Sequence, residues 1–121
     1  MTDSDGRRRE ALSLALRAFP ELSERVDSPD DGLLVIPYFV YGLLAGEISE
    51  RWRDESFWAR ACEFMDRLAE SGDDVFEELL VVGLLENVAE DPVLADHARK
   101  SLGPKAVAFL RRVESDMFGR G

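Results

Sequence analysis

Residues 77–92 read EELLVVGLLENVAEDP, a helix-length stretch that is apolar on nearly every side. At about 100° per residue, Val75, Phe76, Leu79, Leu80, Val81, Val82, Leu84, Leu85 and Val88 cover almost the whole circumference of a helix. With 33% of the chain charged, such a segment can only be accommodated inside a jacket of other elements. It predicts the central helix, at about 74–89, of an all-α bundle. An ideal α-helical phase puts Glu86 on the stripe of Val75, Leu79 and Val82, with Asn87 pointing away. Glu86 is therefore expected to be partly buried, and an unpartnered buried charge costs several kcal/mol. The donors to look for are the free N–H groups and positive dipole end of a helix starting at Gly103-Pro104, or the indole N–H of Trp52 or Trp58. Glu86, Gly103 and Pro104 thus form an expected structural tie, and Glu86→Gln is expected to be milder than Glu86→Ala.

The rest of the chain supplies helices to do the wrapping. RRREALSLALRAF places Leu12, Ala15, Leu16 and Phe19 on one face, and Pro20 closes it and opens a short second helix. SPDDG at 28–32 reads as a loop. Pro37 can open a helix running to about residue 50. Phe57, Ala61, Phe64, Met65 and Leu68 then recur at 3–4 spacing until Ser71-Gly72. Asp74, three residues before Glu77, resembles a capping box, and Pro92 and Pro104 each sit where a first turn would start. Strand alternation is absent. The prediction is a single domain over 1–121 with five to seven helices, a helical arm at 1–31 and the bundle body at 32–118.

Several classes of function find no residues to carry them. The longest apolar run, GLLVIPYFVYGLLAG, falls short of the roughly 20 residues a bilayer requires and contains a proline. The N-terminus has no secretory pattern and Cys62 is the only cysteine, so a reducing, cytoplasmic setting is expected. Cys62 reads as a small core residue, and the lone His97 reads as a solvated or capping group without a catalytic partner. Asp66, Glu70, Asp73, Asp74, Glu77 and Glu78 lack the Glu-x-x-His pairs of a di-metal bundle, and SGDD lacks the spacing of an EF-hand. No metal, no cofactor and no enzymatic activity are expected.

Charge is distributed unevenly. Residues 47–91 hold fourteen acids against four arginines, a net of −10 that equals the charge of the whole chain. Such a field repels nucleic acid and anionic membranes and accelerates encounter with a basic protein. A docking corner is expected where charge and aromatics meet at helix junctions: Trp52, Asp54, Glu55 and Trp58, together with Asp73, Asp74, Glu77 and Glu78.

The order SGDDVFEELLVVGLLENVAED then SLGPKAVAFLRRVE, with Leu85-Glu86 and Leu102-Gly103-Pro104-Lys105 as its marks, resembles a family of small, acidic, uncharacterised bacterial helical proteins. The resemblance covers about residues 37–117. Some members of such families are regarded as immunity proteins of polymorphic toxin systems, and the resemblance implies no catalytic residues. The expected function is protein binding, with neutralisation of a basic toxin as its specific form. The alternative is a regulatory or structural domain that self-associates through Trp52 and Trp58.

Overall fold

Proline and aspartate set the starts of the helices. In a computed structural model describing residues 3–25 and 36–118, the chain forms α1 (Asp3–Ala18), a 3-10 turn (Pro20–Arg25), α2 (Ile36–Arg51) and α3 (Glu55–Glu70). A continuous helix α4 spans 74–90, followed by α5 (Pro92–Ser101) and α6 (Pro104–Phe118). Among the described residues there is no strand. Proline occupies the first position of the 3-10 turn, α5 and α6 and the second of α2, where no intrahelical N–H is needed. The loop expected at 28–32 lies outside the described residues.

Three aspartates cap the helices that follow a turn. Asp54 Oδ1 accepts from the Ser56 and Phe57 amides at 3.0 and 3.2 Å, Asp73 Oδ1 from Val75 and Phe76 at 2.9 and 3.3 Å, and Asp91 Oδ1 from Val93 and Leu94 at 3.1 and 3.2 Å. Each satisfies donors that a helix start leaves open. The cap of α4 is thus Asp73, one residue before the capping-box position expected at Asp74. Gly72 stands at φ 68° just past Ser71, the C-cap of α3, in a left-handed conformation that favours glycine.

Helix α4 sits at the centre, packed against α1, α2, α3 and α6. Phe19, at the end of α1, meets Phe57 and Phe64 of α3 with ring centroids 5.6 Å apart, and Phe64 in turn meets Tyr41 of α2 at 5.8 Å. The expected N-terminal arm is therefore built into the same core: Ala11, Ala15 and Phe19 are fully buried. Tyr41 joins the two layers, its hydroxyl donating to the Ala11 carbonyl at 3.1 Å.

The middle of α4, Leu79–Leu85, is π-helical: the Glu86 amide donates to the Val81 carbonyl, five residues back. Each such bond takes in one residue more than an α-helical bond. The buried positions step from Phe76 to Leu79-Leu80, as a 3.6-residue period requires, then to Gly83, Leu84 and Leu85, and then to Val88-Ala89. A regular α-helix would have brought residue 87 inward instead.

Candidate protein-docking surface

The π turn reverses the expectation for Glu86. Both Glu86 and Asn87 are exposed, rotated off the core by the extra residue, and Glu86 holds no helix start in place. The expected tie to Gly103 exists, but another carboxylate makes it. Asp66, on α3, accepts the Gly103 amide at 2.8 Å just before Pro104 opens α6. A Cβ on Gly103 would lie 3.2 Å from that same oxygen, so glycine allows the close approach. Asp66 was legible in principle. It falls four residues after Cys62 and three before Ala69, both buried, on the edge of the inward face of α3.

The expected docking corner divides in two. Trp52, Asp54, Glu55 and Trp58 stand at the start of α3, and Asp73, Asp74, Glu77 and Glu78 follow its end. Twelve residues of α-helix separate Trp58 from the end of α3, roughly 18 Å at 1.5 Å per residue. They cannot serve one small contact.

The tryptophan end is largely occupied by its own packing. Trp58 is only 7% exposed, and its indole Nε1 has no hydrogen-bond partner among the described residues. His97 of α5 lies between the two indoles, with ring centroids 5.0 Å from both Trp52 and Trp58. It is half-buried rather than simply solvated. Arg53 also stacks on Trp52, its guanidinium carbon 4.3 Å from the ring centroid. Asp54 is used as a cap, which leaves Glu55 as the freely exposed member of this group.

The acidic end is built differently. Asp73 is committed to its cap and to an ion pair with Arg7 of α1. Glu78 accepts a hydrogen bond from the Tyr38 hydroxyl at 2.5 Å, and that bond, with some burial, holds the Tyr38 hydroxyl above its ordinary pKa. Asp74 is exposed, and Glu77 lies one turn further on. Beyond them Val82 is 44% exposed, one of four large apolar side chains open to solvent among the described residues. A groove of about 340 Å³ runs there between α4 and α6, with Asp74, Glu77, Val81 and Val82 on one wall and Phe109 and Arg112 on the other. A second hollow of about 230 Å³ shares Glu77, Phe109 and Arg112 and reaches Lys105. Sequence periodicity treated Val82 as core, but the phase set by buried Phe76, Leu79 and Leu80 places it about 120° from their inward direction, one turn after exposed Glu78.

Cys62 is buried as expected, and desolvation pushes its thiol up to about 12. Among the described residues no three His, Cys, Asp or Glu side chains are grouped to hold a metal ion, and no helix is long and apolar enough to cross a membrane.

The uncharacterised helical family suggested by the sequence motifs can now be given its described extent. A family model described as "Domain of unknown function (DUF7674)" matches residues 12–117. The chain belongs to that family. The match runs from within α1 nearly to the end of α6, so the matched residues of this chain span the π turn of α4, the Asp66–Gly103 tie and both walls of the groove. No curated protein and no solved structure matches the chain.

Proposed function

We propose that this DUF7674 protein is a non-enzymatic binding module whose partner is a basic protein docking on the acidic face of α4. The observation that supports this most directly is Val82, an exposed apolar side chain on the same helix as Asp74, Glu77 and Glu78. A solubilising acidic surface needs no apolar anchor at its centre, whereas an interface combines an apolar contact with a charged rim. The net charge of −10, concentrated in residues 47–91, would steer a basic partner toward it. A catalytic reading is weaker. Cys62 is desolvated, and His97 is packed between two indoles. Self-association through Trp52 and Trp58 is weaker too, since Trp58 belongs to the core.

Neutralisation of a basic toxin is the specific form of this proposal. It is tested by expressing the product of each neighbouring gene with and without this protein and measuring growth and complex formation. Rescue of growth with a stable complex supports immunity. A toxic neighbour that this protein neither binds nor neutralises rejects it. The electrostatic part is tested on the complex with Asp74→Lys and Glu77→Lys, leaving Asp73 to cap α4. Association should slow with these reversals and with salt, because steering is screened beyond about 10 Å at 0.1 M ionic strength. An on-rate indifferent to both would reject docking on this face.

A further inference from the structure

We propose that the groove between α4 and α6 receives one amphipathic helix of the partner, laid along the groove. Its apolar stripe would meet Val82, Val81 and Phe109, and its Lys or Arg flank would meet Asp74 and Glu77. This rests on the basic-partner reading above and adds the form in which the partner is recognised.

Three observations support it. First, the distance from Asp74 to Val82 along α4 is eight residues, roughly 12 Å, or about two turns of a helix lying alongside. Anchors at positions i, i+3 or i+4, and i+7 of a docked helix match that span. Second, the described residues contain no strand and hence no open sheet edge, so a peptide cannot dock there by extending a sheet. Two neighbouring helices with a furrow between them offer a third helix the ridge-and-groove packing that the core already uses. Third, the walls differ in charge. Asp74, Glu77 and Glu78 make the α4 wall uniformly acidic, whereas the α6 wall is mixed, with Asp116 one turn on from Arg112, whose guanidinium lies 5.7 Å from the Phe109 ring centroid. Lys105 adds a second positive charge where the adjoining hollow continues along α6. A helix with bases along one flank would turn that flank to the acidic α4 wall rather than to the mixed α6 wall.

The test uses two synthetic peptides of identical composition, each 18 residues long with an amidated C-terminus and a fluorescent label. In one, leucines recur at helical spacing and lysines flank them; in the other, the same residues are shuffled so that the leucines share no face. Fluorescence anisotropy with the full chain should show the amphipathic peptide binding at least tenfold more tightly, with amide shifts at Val82 and Phe109 in an isotope-labelled sample. Val82→Asp should abolish that preference, and Val82→Ser should reduce it. Because Val82 is exposed, circular dichroism of both variants should match the wild type. Asp74→Lys with Glu77→Lys should weaken both peptides alike. Equal affinity for the two peptides, or a preference that survives Val82→Asp, would overturn helix docking while leaving a basic partner in place. Failure of both peptides to bind would overturn both readings.

Discussion

Helices α3 and α4 lie side by side in the core, are nearly equal in length, and each follows an aspartate cap, yet they handle polar residues in opposite ways. In α3 the ordinary 3.6-residue period is sufficient. Phe57, Ala61, Phe64, Met65 and Leu68 face inward, and the charged residues fall outward or, as with Asp66, onto the edge of the buried face. In α4 that period, continued from Phe76 and Leu79-Leu80, would carry residue 87 into the core. One extra residue in the π turn turns Glu86 and Asn87 to solvent and brings Val88 and Ala89 inside. A helix can therefore protect its core either by its sequence pattern or by adjusting its winding.

The sharpest way to break this comparison is a pair of aspartates. Val88→Asp should cost several kcal/mol, enough to unfold much of a marginally stable domain, because it puts a charge where the shifted register points inward. Asn87→Asp, next to it on the exposed side, should change stability by less than about 0.5 kcal/mol. Urea denaturation followed by circular dichroism separates the two, and a severe Asn87→Asp would mean that α4 keeps an unbroken α register.

Next in size is the packing that the π turn creates. A Cβ on Gly83 would lie 2.9 Å from Tyr41 Cβ, and Tyr41 is held in place by its bond to the Ala11 carbonyl. Gly83→Ala should destabilise by roughly 1–3 kcal/mol through overpacking, despite a gain in helix propensity of about 1 kcal/mol. A Cβ on Gly46 in α2 would meet nothing within 4 Å, so Gly46→Ala should stabilise by roughly 0.5–1 kcal/mol. If both changes stabilise, the α2–α4 contact is looser than the structure indicates.

Much of the fold was legible in the sequence because proline starts, glycine ends and the 3–4 stripes of α3 all mark helix phase locally. The π turn was not. LLVVGLL offers seven apolar residues in a row with no polar residue among them to show which way each faces, so a one-residue shift leaves no trace inside the segment. Its only sign is downstream, where the polar pair Glu86-Asn87 precedes the apolar pair Val88-Ala89. The candidate site fared less well for a related reason. Residues that both flank helix ends, such as Trp52 and Asp73, are separated in space by the length of α3, and Val82 could be recognised as exposed only once the burial of Phe76, Leu79 and Leu80 had set the phase of α4.

A smaller effect distinguishes the two carboxylates that competed for the Gly103 amide. Asp66→Ala should cost roughly 1–2 kcal/mol in thermal or urea unfolding, since it leaves a half-buried amide without its acceptor, and Asp66→Asn should recover part of that. Glu86→Ala should stay within about 0.5 kcal/mol. Equal losses for Asp66→Ala and Glu86→Ala would assign the tie wrongly.

The smallest expected effect concerns the outer face of α3, which an ion pair ties to the 3-10 turn. Arg60 donates to Glu21 at 3.0 and 3.3 Å, and this hydrogen bonding, partly opposed by burial, holds Glu21 below its ordinary carboxylate value of 4.5. A lowered folded-state pKa means the stabilisation is present above 4.5 and is lost as pH falls through the folded value. Both side chains are more than a third exposed, so the contribution should be no more than roughly 0.2–1 kcal/mol. The midpoints of wild type and Glu21→Gln should differ slightly near neutral pH and converge on acidification.

The winding of α4 also determines which changes of chain length this protein can absorb. A π turn holds one residue more than the α-helix that would join the same two ends in nearly the same phase. Removing Val82 should let Leu79–Leu85 relax into ordinary α-helix while Val88 and Ala89 keep facing inward. Removing exposed Arg67 from α3, which has no such slack, would rotate Leu68 and Ala69 by about 100° and turn them off the core. Shortened relatives of this chain should therefore carry their gap within 79–85, where losing a residue changes the type of helix and leaves the fold in place.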